Sequence, residues 1–295
     1  MSSRVADRAS LLTGLLWISP WLLGFILFMA LPIAMSLYYS LTDFPLLEPP
    51  LYIGLENYAG LLRDSVFHKA LLNTAVFCIL FIPAASVLSL LIAAALNQKL
   101  KGLWVYRTAV FIPSLVPIVA AAMIWLWLFN ADQGLINIAL RAVGIEGPNW
   151  LGDRNWALPA LVLMSLWNIG QPVVIYLAAL QDVPNSLYEA ASIDGMGPIR
   201  RLIHVTMPMI SPVILFNVII MTINTLQVFA VPYIMTEGGP DRATYLFTHY
   251  LYDNAFVFRK MGYACAIAWV QFVVILALTG VMFAASRKLV HYRVA

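Results

Sequence analysis

The chain has 295 residues, 62% of them hydrophobic and only 11% charged, against roughly 25% charged in ordinary globular proteins. So little charge cannot cover a surface in water, which argues against a soluble domain and for a lipid bilayer as the solvent. The net charge is +3 with no run of basic residues, which gives nucleic acid nothing to bind.

Six long windows carry no Asp, Glu, Lys or Arg: residues 9–42, 70–98, 108–131, 155–181, 202–236 and 261–286. Each reaches the roughly 20 residues a helix needs to cross the hydrocarbon core. They predict transmembrane helices at about 12–40, 71–97, 108–129, 157–180, 209–231 and 264–286. The expected fold class is an all-α integral membrane protein with six such helices, because the competing closed barrels need short alternating strands. Residues 1–295 are read as a single transmembrane domain. The first window follows Arg4 and Arg8 but is too long for a signal-peptide core and lacks a small-residue cleavage site, so it reads as an uncleaved span. Cys78 and Cys265 lie far apart in apolar surroundings and read as packing residues, with no disulfide framework or metal site implied.

Lysine and arginine set an expected orientation. With the amino terminus in the cytoplasm, the inner segments hold Arg4, Arg8, Lys99, Lys101, Arg107, Arg200, Arg201, Arg287, Lys288 and Arg293. The outer loops hold Arg63, Lys69, Arg141, Arg154, Arg242, Arg259 and Lys260. Ten basic residues in short segments against seven in longer ones favour both termini inside.

A charge at the bilayer centre costs on the order of 3 kcal/mol and persists only for function. Here all 14 carboxylates fall outside the windows, and His68, His204, His249 and His291 fall at or beyond the span ends. That leaves no proton relay. Prolines 32, 83, 113, 117, 172 and 212 are candidates to break helices and free carbonyls for sodium, although membrane helices also tolerate proline. The alternative of an ion-coupled carrier or facilitator without an ATPase therefore stays open on the residues alone. The chain has no phosphate-binding G-x-x-x-x-G-K-[ST] loop and no nucleophile motif, so it is not expected to be an enzyme.

Between the fourth and fifth spans stands VPNSLYEAASIDGMGPIRRLIHVTMPMISP, residues 183–212. It predicts two short helices meeting at a bend. Pro184 ends the preceding span, and Ser186 with Glu189 has capping-box spacing. Ala190 and Ala191 give a small, close-packing surface, Gly195 and Gly197 supply positive φ, and Pro198 opens a second helix that Pro208 stops. Such a bracket suits a groove on a cytoplasmic partner.

The segment resembles the EAA loop of ABC-importer permeases, E-A-A-x-x-D-G-A-x-x-x-x-x-F-x-x-I-x-L-P-x-x-x-P. Glu189, Ala190, Ala191, Asp194, Gly195, Pro208 and Pro212 match at the same spacing. Met196, Leu202, Val205 and Met207 replace Ala, Phe, Ile and Leu, which keeps the apolar character. FIPSLVPIVAAAMIWLWLF, YIMTEGGPDRAT and MGYACAIAWVQFVVIL are similar to the sugar subgroup, whose kin are the maltose and glycerol-phosphate systems. The resemblance implies a permease of the bacterial or archaeal inner membrane with its loop at 184–208 docked in a cytoplasmic ATPase. ATP and Mg would be bound by two such subunits, alongside a second homologous permease and an external solute-binding protein. It also implies that TEGGPDRAT contributes to the outer face offered to that binding protein.

Substrate candidates follow from spacing. Asn217, Asn224 and Gln227 lie along one stripe of the fifth span, and Trp167, Asn168, Gln171 and Tyr176 gather on the fourth. Trp269 and Gln271 lie on the sixth. Amides beside aromatic faces suit a neutral sugar; the plainer reading is that they bond neighbouring helices.

Overall fold

Runs of Leu, Ile, Val, Phe and Ala too long to end in water have one outlet for their backbone polar groups, the helix. The computed structural model describes residues 2–98 and 101–289, with side chains at 13–98 and 101–286. Lys99, His291 and Arg293, and the side chains of Arg4, Arg8, Arg287 and Lys288, lie outside the described residues.

Four helices are long and apolar enough to span: α1 (Thr13–Ser40), α3 (Ser65–Leu96), α10 (Pro198–Leu226) and α13, whose spanning part is Met261–Ser286. Two bent pairs, α4 (Leu103–Leu115) with α5 (Ile118–Leu128) and α7 (Ala157–Trp167) with α8 (Gly170–Gln181), bring the number to six if each pair crosses once. The remaining helices are short: α2 (Glu56–Arg63), α6 (Leu135–Ala142), α9 (Asn185–Ile193), α11 (Ala230–Thr236) and α12 (Phe247–Tyr252). Two-residue strands β1 (Thr42–Asp43) and β2 (Leu51–Tyr52) pair antiparallel, Thr42 opposite Tyr52.

The third and fourth spans are not the straight helices the windows predict. The first pair bends by 99° and the second by 49°. At the first break Val116 is extended (φ −74°, ψ 127°), because the ring of Pro117 disfavours the helical region for the residue before it.

Elsewhere proline is absorbed. A π turn at Ile26–Ala30 bonds the Leu31 N–H to the Ile26 carbonyl just ahead of Pro32, and another at Leu202–Thr206 bonds Met207 N–H to Leu202 just ahead of Pro208. The wider turn accommodates a proline that has no N–H and whose ring crowds the preceding turn. Pro208 consequently does not stop the helix. The fifth span runs unbroken from Pro198 to Leu226, starting eleven residues before the predicted 209.

The chain divides into two compact units: residues up to Arg63 with Leu251–Val270, and Asp64–Tyr250 with the residues from Gln271. In the first, Asn57 donates to the Ser40 and Thr42 carbonyls at 2.9 Å, and Phe44 accepts from Met261 at the start of α13. Trp269 donates to the Ser36 hydroxyl at 3.1 Å.

In the second unit α3 starts at an N-cap, the Asp64 carboxylate accepting from Val66 at 2.7 Å. Two apolar clusters then form along α3. One gathers Phe77, Phe129, Leu161 and Met164 with Val231 and Met235 of α11; the other gathers Ala85, Val173, Tyr176, Leu177 and Ile210.

Candidate functional site

Two features stand out in the second unit: a cavity at the helix breaks and the bracket between the fourth and fifth spans.

The cavity has a volume of about 810 Å³. Three interruptions meet at it. Ser114 and Ile118 flank the α4–α5 bend, Asn168 and Ile169 occupy the α7–α8 bend, and Gln227 to Phe229 connect α10 to α11. Gly170 makes this convergence possible. A Cβ there would stand 2.8 Å from the Val110 carbonyl and 2.9 Å from the Ser114 hydroxyl, so only glycine lets the start of α8 lie against α4.

All five amides singled out in the sequence, Asn168, Gln171, Asn217, Asn224 and Gln227, line this cavity. Asn217 is buried, Asn168 half-buried, and Gln171, Asn224 and Gln227 are exposed. Phe77, Phe81, Phe216 and Phe229 add aromatic wall. Among the described residues no Asp, Glu, Lys, Arg or His lines it.

Beneath Asn217, Tyr176 is buried with its hydroxyl facing the side chains of Ser86 and Asn217. Neither that hydroxyl nor the Asn217 amide nitrogen forms a hydrogen bond of good geometry. Trp167 stands apart from the amides, edge-on to Trp125 with ring centroids 6.2 Å apart.

The sixth-span candidates are engaged elsewhere. Gln271 donates to the Leu226 carbonyl at 2.7 Å and to the Thr248 hydroxyl at 3.1 Å, closing the open end of α10. With Trp269 on Ser36, both are structural bonds between elements.

The bracket consists of α9, a turn, and the first turns of α10. Glu189, Ala190, Asp194 and Gly195 are exposed, Ala191 is buried and Pro208 half-buried. Gly195 takes φ +70°, but Gly197 is extended at φ −69° and serves as the N-cap before Pro198. The expected capping box does not form: Pro184 is the N-cap of α9, which places Ser186 inside the first turn, and no side-chain cap bond is made. What ties the two arms is tertiary. The Tyr188 and Thr206 hydroxyls lie 3.1 Å apart, and Arg201 donates to the Ser192 hydroxyl at 3.1 Å.

TEGGPDRAT is a pinned turn. Gly238 has φ +81° with Tyr245 packed where a Cβ would stand, and Thr236 and Thr244 share a hydrogen bond of 2.7 Å. Buried Asn73, which sequence reasoning passed over, donates to the Arg242 and Tyr245 carbonyls at 2.7 and 3.1 Å. Its only signal was an amide near the start of the charge-free second window, far from the Asn97 and Gln98 that close it. Among the described residues no group of His, Cys, Asp or Glu is arranged to hold a metal ion.

Comparison with known proteins agrees with this architecture. A permease of Bacillus subtilis (strain 168), the probable ABC transporter permease protein YesP, is 37% identical over 97% of this chain and 94% of its own. The lactose transport system permease protein LacF of Rhizobium radiobacter is 36% identical over 93% of this chain and 94% of its own. A subunit in the crystal structure of a bacterial ABC transporter that imports the acidic polysaccharide alginate shares the fold, with TM-score 0.83 at 22% identity over 97% of this chain and 98% of that one. The family described as binding-protein-dependent transport system inner membrane component matches residues 85–295. With a family match over most of its length and relatives above 30% identity along nearly all of it, the chain belongs to the binding-protein-dependent transport system inner membrane components, the multi-pass permease subunits of ABC transporters.

Proposed function

We propose that the chain is one of two related permeases in an ATP-driven importer that moves a neutral sugar or oligosaccharide into the cell by alternating access. One observation carries the substrate class: five amides and several phenyl rings surround a cavity of about 810 Å³ that no charged side chain lines among the described residues. Amides bond hydroxyls, rings stack on the apolar faces of a sugar, and an uncharged wall has nothing to pay for desolvating an ion. The name of the lactose relative supports the same class.

In this reading both termini are cytoplasmic and the bracket faces two nucleotide-binding ATPase subunits, which hold the ATP and Mg. Exposed Glu189, Ala190, Asp194 and Gly195 form the docking surface, Ala191 packs behind it, and Pro208 lies where the bracket joins the span. Closure of the ATPases on ATP moves the bracket and with it α10, which carries Asn217 and Asn224 to the cavity. An external solute-binding protein delivers the sugar to the outer face, to which the pinned turn at 236–244 contributes.

The test is uptake into vesicles containing the complex that co-purifies with this chain in mild detergent. Accumulation of a neutral sugar that requires both ATP and the binding protein is the expected result. Transport by this chain alone on a sodium or proton gradient would overturn the reading.

A further inference from the structure

Asn217 lines the cavity from α10 and is only 3% exposed; Tyr176, on α8, is 1% exposed and is not part of the cavity lining. The Tyr176 hydroxyl faces the side chains of Asn217 and Ser86, and the Asn217 nitrogen is sealed from solvent without a bond of good geometry. Ser86 stands on α3, also outside the lining, and its hydroxyl donates to the Met221 sulfur at 3.6 Å. Met221 lies one turn beyond Asn217 on the same face of α10. Asn217, Tyr176, Ser86 and Met221 thus form a chain of polar contacts that leaves α10, passes through α8 and α3, and returns to α10.

The sulfur gives this chain a direction. A thioether has no hydrogen to give, so the Ser86 O–H is committed to it. Ser86 then has only lone pairs to offer Tyr176, and the Tyr176 O–H points to Ser86. The Tyr176 oxygen in turn offers lone pairs to Asn217, which an amide nitrogen can meet and an amide oxygen cannot. The nitrogen is held inward, in agreement with its being the sealed atom. The oxygen is what Asn217 presents to the cavity. Turning the amide over would set two acceptors against each other in a buried place, which is costly.

We infer that Tyr176 is a positioning residue for specificity: it fixes the polarity of the Asn217 amide, so that this point of the cavity accepts a hydrogen bond and requires a substrate hydroxyl that donates one. The inference rests on the reading of the cavity as a sugar site. A free hydroxyl satisfies the amide oxygen. An ether, a keto group or a fluorine in its place brings a second acceptor and leaves the oxygen unpaired, and a site made for a hydroxyl rejects an analogue that lacks it. Tyr176 acts through Asn217 and does not itself touch the sugar.

Two variants test this in the assembled transporter, reconstituted in vesicles. The probes are the sugar that wild-type vesicles accumulate and its monodeoxy and monodeoxyfluoro analogues, each competing for uptake. Fluorine accepts weakly and donates nothing, so the ratio of fluoro to deoxy affinity reads the polarity of the amide. At the hydroxyl that Asn217 contacts, the wild type is expected to lose about tenfold with either analogue, the fluoro sugar binding no better than the deoxy. Ser86→Ala leaves the Tyr176 O–H no acceptor but the amide oxygen, which turns the amide over; the fluoro analogue is then expected to bind better than the deoxy. Tyr176→Phe frees the amide to adopt either orientation and is expected to give a ratio between the two. Mere loss of packing would weaken all the sugars in proportion and leave the ratio fixed. A ratio equal in the wild type and both variants, or a wild type that prefers the fluoro analogue at every position, would overturn the inference and leave the sugar reading standing. Vesicles that accumulate no sugar would overturn that reading and this inference with it.

Discussion

The hydroxyls of Tyr188 and Thr206 lie 3.1 Å apart and join the two arms of the bracket. Thr206 is buried and also donates to the Arg201 carbonyl at 3.3 Å. With the capping box unformed, these bonds and the Arg201–Ser192 contact hold the segment's shape. Thr206→Val keeps the volume and removes both bonds, at about 1 kcal/mol each. The expected outcome is a complex that assembles but hydrolyses ATP with less sugar moved per turnover, measured by uptake and phosphate release on the same vesicles.

Glu189→Lys reverses an exposed charge, and Gly195→Val forces a β-branched residue to φ +70°. Each is expected to separate ATP hydrolysis from uptake while membrane insertion is kept. Normal coupling in both variants would remove the bracket from the ATPase interface.

The cavity amides differ in burial, and their variants should differ accordingly. Asn224→Ala removes an exposed amide and is expected to raise the KM for the sugar about tenfold, the size of one lost hydrogen bond. Asn217→Leu replaces a buried amide whose nitrogen is poorly bonded, so it should cost little stability while still weakening substrate. Comparing thermal unfolding with KM across the pair checks both statements.

Gln271→Leu should do the opposite. It strips two bonds from the end of α10, leaving the Leu226 carbonyl without this donor at a cost of about 1–3 kcal/mol. A lower unfolding temperature with unchanged KM is expected. A raised KM at unchanged stability would return Gln271 to the substrate.

Gly170→Val drives side-chain atoms into the Val110 carbonyl and Ser114. α8 must then shift away from α4. Loss of uptake with the chain still in the membrane, alongside a milder Gly170→Ala defect, is the expected result.

The long apolar helices were legible because carboxylates and basic residues stop where the apolar runs start, so their spacing draws the boundaries. The short helix carrying Glu189 and the turn at Gly195 were legible from the spacing of small, acidic and proline residues. The bends were not. Pro83 and Pro212 sit inside unbroken helices while Pro117 lies at a 99° break, and nothing local to each proline separates the cases; what the neighbouring helices can absorb decides. Pro208 misled for the same reason, since a π turn relieved it. The amides at 168, 171, 217, 224 and 227 were picked out singly by residue type and helical phase, but their assembly around one cavity depended on the three interruptions.

α10 runs unbroken for 29 residues, about 43 Å of stiff rod. Asn217 and Asn224 ride on it, while Asn168 and Gln171 sit at the knee between two short helices. In the proposed mechanism a tilt imposed near Pro198 would displace one side of the cavity and leave the other behind. The grip on a sugar would then be released by sliding its two halves past each other, without either half having to unfold.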